Sequence, residues 1–243
     1  SYMAACVADM TDRIAVISRT AEGSARWEML VRLHLRLKCL APRIDAPELR
    51  PAFELCLALE GLFKKFTEKP VNATDSALCT AATGLKLLED LCKPGVKPDL
   101  TSNPPIRILV VDDEPLARRA VTGALQMAFS RPAAAESGET ALALAEDREF
   151  DLVLMDVMMP EMDGFTACTR IHETLHNRST PVIFVTALSD GEFRARAAEC
   201  GGSDFVVKPF VFMEITVKAL TFALRGRLEK LKAPESGGVT APG

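Results

Sequence analysis

Residues 106–113 read IRILVVDD, an apolar run of strand length that stops on two carboxylates, Asp112 and Asp113. Three later runs have the same build. DLVLMD at 151–156 ends on Asp156, PVIFV at 181–185 is followed by Thr186 and Ala187, and DFVV at 204–207 is followed by Lys208 and Pro209. Residues 131–136 form a weaker fifth run. Helical spacing falls between the runs, near 115–129, 139–147, 163–176, 189–200 and 211–232. Short strands alternating with helices predict an α/β unit, a five-stranded parallel sheet wound with helices on both faces.

In such a sheet, ligands gather beyond the carboxyl ends of the strands. That edge is expected to hold Asp112, Asp113, Asp156, Thr186 and Lys208. Clustered carboxylates repel unless a cation lies among them, and hard oxygen donors with room for water suit Mg²⁺. An ammonium and a hydroxyl beside them complete what a carboxylate needs to accept a phosphoryl group. Neither a Walker-type glycine loop nor a Ser-His-Asp arrangement is present, so nucleotide hydrolysis and acyl transfer are not expected.

LVVDDEP at 109–115, LMDVMMPEMDG at 154–164, VTAL at 185–188 and GGSDFVVKPF at 201–210 occur in one order. Together they make residues 106–228 resemble the receiver (CheY-like) domain of two-component response regulators, with a flavodoxin-like fold. The resemblance implies that Asp156 is the phosphoacceptor and that Asp113, Asp112, Asp156 and the Met158 backbone carbonyl hold Mg²⁺. It implies that Lys208 pairs with Asp156, that Thr186 and Phe205 are the switch hydroxyl and aromatic, and that Lys208-Pro209 is cis. Ala187 leaves room for the phosphoryl group. The positions that set dephosphorylation in that family are here Met158 and Leu188, both apolar, so a long-lived phosphoryl group is expected. Phosphorylation adds nearly two negative charges, which should shift the surface built from residues 189–222 between two shapes.

Residues 93–105, KPGVKPDLTSNPP, carry four prolines and read as a semi-rigid linker. Before it the periodicity is helical. Leu78, Ala81, Leu85, Leu88 and Cys92 form one stripe, and residues 4–20, 24–40 and 47–68 give three more helices. Residues 1–92 are thus expected to be a separate all-α, up-down bundle. The segment 30–92 weakly resembles a histidine phosphotransfer (Hpt-like) bundle through LHLRLKCLA at 33–41, DAPEL at 45–49 and LALEGLFKKF at 57–66. In that family a lysine lies three residues after the active histidine. Here Lys38 lies four after His34, and Cys39 stands where a glycine follows. The region is therefore read as a degenerate unit for dimerisation or docking. Two alternatives stand beside it: a relay through His34, and a scaffold that uses the receiver fold without phosphorylation.

The expected domains are 1–92 helical, 93–105 linker, 106–232 receiver and 233–243 a disordered tail. Only a helix and a tail follow the receiver-like strands, so any second function is expected in residues 1–92. Among 243 residues there are 29 Lys plus Arg and 33 Asp plus Glu, a formal charge of -4. Neither half has a strong basic excess, so no nucleic-acid partner is expected. No apolar run is long enough to span a bilayer and no secretory signal is visible, so neither membrane insertion nor export is expected. Seven scattered cysteines, none in a C-x-x-C pair, argue against a disulfide framework and for a reducing cytoplasm. Each is expected to be a small buried hydrophobe. The protein is expected to be a signalling switch rather than an enzyme. It would take phosphate from a histidine kinase or phosphotransfer protein, and a downstream protein or a second copy would read it.

Overall fold

The computed structural model describes residues 2–93, 100, 104–126, 128–129, 131–187 and 191–232. Most of the linker, Leu188 and the expected tail at 233–243 lie outside the described residues.

Five strands, β1 (Ile108–Val111), β2 (Ala133–Ala135), β3 (Leu152–Met155), β4 (Val182–Thr186) and β5 (Asp204–Val207), pair in the order β2-β1-β3-β4-β5. All pairs are parallel. The strands β1, β3 and β4 are buried along their whole length, which is why they are continuous apolar runs rather than alternating ones. The order reverses at β1, so the chain ends of β1 and β3 are neighbours. Val111 is level with Met155, and the next residues are Asp112 and Asp156. At the other side Thr186 is level with Val207, one residue before Lys208.

Helices α5 (Pro115–Leu125), α6 (Gly138–Asp147), α7 (Gly164–Glu173), α8 (Gly191–Glu199) and α9 (Phe212–Lys232) connect and cover the sheet. Their starts are chemically marked. The Ser137 hydroxyl accepts from the Thr140 amide at 3.2 Å, and the Asp163 carboxylate from the Thr166 amide at 2.8 Å. Gly164 follows that cap because a Cβ there would lie 2.2 Å from the Asp156 carbonyl oxygen. The α5 helix stops at Leu125, short of the expected residue 129.

The amino-terminal half holds α1 (Tyr2–Ile17), α2 (Ser24–Leu40), α3 (Arg50–Glu68) and α4 (Asp75–Leu91), with single 3-10 turns at Ala41–Arg43, Pro47–Leu49 and Pro70–Asn72. Helix α1 packs on α4 and α2, α2 on α3, and α3 on α4. Thr74 caps α4 by accepting from the Ala77 amide at 3.2 Å.

The expectation of a separate bundle is corrected here. Helix α9 packs on α3 and α4 with one side and on α5 with another. One apolar core runs from Val7 and Leu33 through Leu59 and Leu88 to Val217, Leu220, Ile108 and Leu154. A second, smaller core fills the opposite face of the sheet around Phe165, Phe184 and Phe193. Gly84 lets α4 approach α9 closely, since a Cβ on it would meet Leu59 at 3.0 Å and Val217 at 3.1 Å. Burial of apolar side chains on both sides of α9 is what fuses the two halves. Among the described linker residues, Leu100 is buried, and the Leu100, Pro104 and Pro105 carbonyls all accept from the Arg227 guanidinium.

Candidate phosphoacceptor and metal site

The parallel register delivers the polar residues to one edge. Asp112, Asp113 and Asp156 each present a carboxylate oxygen, and these oxygens lie within 4.8 Å of one another. Asp112 and Asp156 are buried. Asp112 Oδ1 accepts from the Glu114 amide at 2.9 Å, and Asp156 Oδ1 from the Val157 amide at 2.7 Å. Each remaining oxygen meets the same cation. Lys208 Nζ donates to Asp156 Oδ2 at 2.8 Å and to Asp112 Oδ2 at 3.0 Å. The Arg118 guanidinium donates to the Asp112 and Asp113 carbonyls from behind, holding the loop after β1.

The electrostatics follow from this crowding. Burial pushes the Asp112 carboxyl pKa up, and the Lys208 ammonium opposes the rise without cancelling it. Burial alone would lower the Lys208 pKa, but hydrogen bonds to Asp156 and Asp112 outweigh it and hold the value above that of an ordinary lysine. The site thus contains three carboxylates and one firmly protonated amine. Such an oxygen-only donor set, partly open to water, suits a hard divalent cation such as Mg²⁺.

Thr186 is fully buried at the end of β4, and its carbonyl accepts from the Lys208 amide at 2.8 Å. The Lys208-Pro209 peptide is cis. Ala187 is exposed. The Met158 side chain is exposed on the loop after β3, whereas Met159 and Met162 pack inward. Phe205 is half-buried on β5, in edge contact with Phe193 of α8 at 5.4 Å between ring centres. The Arg194 guanidinium lies 5.4 Å from the same ring.

His34 lies away from this edge, on α2. Its Nε2 is 2.6 Å from Glu60 Oε1 of α3, so that ring nitrogen is already engaged by a carboxylate. His172, on α7, has Nε2 2.9 Å from the Thr180 carbonyl. Sequence reasoning missed a pair of polar contacts made by buried residues of α9. Ser76 of α4 meets Glu214 of α9, and Lys218 donates to Asp204 at 2.8 Å and to the Phe205 carbonyl at 3.0 Å. Their only sequence signal is an acid and a base four apart, Glu214 and Lys218, inside an otherwise apolar stretch.

Residues 108–220 match the family model for the response regulator receiver domain. The transcriptional activator protein IrlR of Burkholderia pseudomallei is 38% identical over 122 residues, covering 50% of this chain and 52% of that protein. Response regulator PleD of Caulobacter vibrioides is 37% identical over 134 residues, covering 54% of this chain and 29% of that protein. The chain therefore spans about half the length, or less, of these curated relatives. The receiver domain of sensor histidine kinase PA1611 from Pseudomonas aeruginosa was solved with a magnesium ion in its active site cleft. It is 27% identical, with 49% of this chain and 97% of that chain covered and a TM-score of 0.46. No helix among the described residues is long and apolar enough to cross a membrane.

Proposed function

We propose, from the premise that residues 108–220 are a response regulator receiver domain, that this protein is a phosphorylatable switch of a two-component system. The carrying observation is the Lys208 ammonium bridging Asp112 and Asp156 with Asp113 beside them. In this reading an Asp156 oxygen attacks phosphorus in line and the bond from phosphorus to the donor breaks. Lys208 then transfers its hydrogen bonds to the phosphoryl oxygens, and the Thr186 hydroxyl donates to another. Asp112, Asp113, Asp156 and the Met158 backbone carbonyl would hold Mg²⁺, which when bound offsets the negative charge gathering at this edge.

A histidine kinase or a phosphotransfer protein is the phosphodonor in this reading, and the protein is a switch rather than an enzyme. The signal leaves through α8 and β5. Phe205 touches Phe193 of α8, and Lys218 ties the Phe205 carbonyl to α9. Because α3 and α4 cover one side of α9, the helical half is the first listener, and the exposed part of α8 is left for a downstream protein or a second copy. The engaged Nε2 of His34 favours docking over relay for the helical half.

The test is phosphorylation of the full chain by a small acyl phosphate with Mg²⁺. Native protein should gain one phosphoryl group and Asp156→Asn none. Met158 offers no polar side-chain atom to orient water, so the group should decay over minutes or longer. Equal labelling of Asp156→Asn would overturn the assignment.

A further inference from the structure

The seven cysteines are not uniformly buried. Cys56, Cys92 and Cys168 are, Cys39 and Cys79 are exposed, and Cys6 and Cys200 are intermediate. Two of them, 32 positions apart in sequence, meet in space. Cys168 lies fully buried on α7, and Cys200 follows the last turn of α8. The Cys168 thiol donates to the Cys200 carbonyl at 3.2 Å, and the Cys200 thiol donates to the Ala197 carbonyl at 3.3 Å. The turn beside Cys200 lets His172 come close. Gly201 has φ +80°, and a Cβ on it would stand 3.0 Å from the His172 ring.

His172 completes the group. Its Nε2 faces the Thr180 carbonyl, which only accepts, so Nε2 carries the proton. In the neutral ring Nδ1 is then a free base, and it lies 3.9 Å from Cys168 Sγ. The neighbouring Cys168 side chain pulls the Cys200 thiol pKa down to about 7, while Cys200 and burial hold Cys168 well above an ordinary thiol. The more exposed sulfur is thus the better nucleophile, and the buried one waits beside a base.

We infer that Cys168 and Cys200 form a reversible dithiol–disulfide couple whose oxidant is a hydroperoxide. The Cys200 thiolate attacks the peroxide oxygen, a sulfur–oxygen bond forms, the oxygen–oxygen bond breaks, and the released hydroxide is protonated to water. Cys168 gives its proton to His172 Nδ1 and attacks the Cys200 sulfur. The sulfur–sulfur bond forms, and the hydroxide leaves as a second water after taking that proton back from His172. Two thiols lose two electrons and one hydrogen peroxide becomes two waters.

The bond would pin the end of α8 to α7. That helix carries Phe193, against Phe205, and Arg196, which lies 4.2 Å over the Phe165 ring and pairs with Asp163 at 2.9 Å. The couple stands whether or not Asp156 accepts phosphate.

The experiment treats the full chain, carrying Cys39→Ser and Cys79→Ser to remove the exposed thiols, with hydrogen peroxide, and maps non-reduced peptides. The expected product links the peptides of Cys168 and Cys200 and is reversed by dithiothreitol. Its rate should rise roughly tenfold from pH 6 to pH 8, following the thiolate fraction of Cys200. With Cys168→Ser, a sulfenic acid should be trapped on Cys200 by dimedone. The inference is overturned if the two peptides stay unlinked in folded protein, whether Cys200 is oxidised alone, joins another cysteine or remains reduced.

Discussion

The Ser76 hydroxyl lies 2.6 Å from the Glu214 carboxylate, across the seam between α4 and α9. Glu214 is buried, and burial pushes its pKa above the ordinary 4.5, with Ser76 and Lys218 opposing the rise. The folded protein therefore keeps this proton to a higher pH than the unfolded chain does. The stability it contributes is full below about 4.5 and falls as pH climbs through the raised folded value. Glu214→Gln keeps an acceptor for Ser76 and removes the titration. Its unfolding free energy in urea, relative to native, should improve with pH across that window by about 1.4 kcal/mol per pH unit, then level off. Parallel curves for the two proteins would refute this.

Arg227 makes a two-pronged pair with Asp151, both contacts at 2.8 Å, and spends its remaining donors on linker carbonyls. Both side chains are nearly buried, at 11% and 13% exposure. Removing the guanidinium takes both prongs from a nearly buried carboxylate, leaving it only the Arg107 amide, and takes the partner from the buried Leu100 carbonyl. Arg227→Ala should cost about 3 kcal/mol in chemical denaturation. Arg227→Lys should recover little, because a single ammonium cannot span that set.

Gly84 and Gly123 make a matched pair of tests on helix interiors. A Cβ at Gly84 meets Leu59 and Val217, whereas one at Gly123 of α5 meets nothing within 4 Å. Gly84→Val should therefore lower stability by roughly 1–3 kcal/mol through overpacking. Gly123→Ala should raise it by up to about 1 kcal/mol through helix propensity. Thermal unfolding of both variants checks the contrast, and a destabilising Gly123→Ala would count against it.

In the proposed reading, Lys208 and a divalent cation would compete for the same carboxylate oxygens. Lys208→Met should therefore bind Mg²⁺ more tightly than native protein by calorimetry, roughly tenfold, since one positive charge is removed from about 3 Å. The same variant should accept phosphate poorly. Asp113→Ala should weaken Mg²⁺ binding. Weaker Mg²⁺ binding by Lys208→Met would show that the amine organises the site rather than occupying it.

The sheet was readable because buried parallel strands must be short apolar runs. Four of the five start and stop within two residues of where IRILVV, DLVLM, PVIFV and DFVV place them. The weak run at 131–136 shrank to Ala133–Ala135, an edge strand with little side chain to announce it. The carboxylates at the edge were readable for the same reason: each is the first polar residue after a run. The joining of the two halves was not. Glu214 and Lys218 look like the wet side of α9, yet both are buried and satisfied by Ser76, Asp204 and a backbone carbonyl. The face of His34 was equally hidden. Leu33 and Leu37 point inward and Leu35 outward, and only the contact with Glu60 decides between them.

A gene cut at the proline-rich stretch would not yield two tidy pieces. The downstream fragment would carry a helix whose Met213, Val217 and Thr221 stripe, now pressed against Gly61 and Gly84, is abruptly laid bare to water. Such a fragment should clump or recruit a surrogate cover. Studies of this sheet and its acidic edge are therefore best done on the intact polypeptide, with its own lid of helices in place.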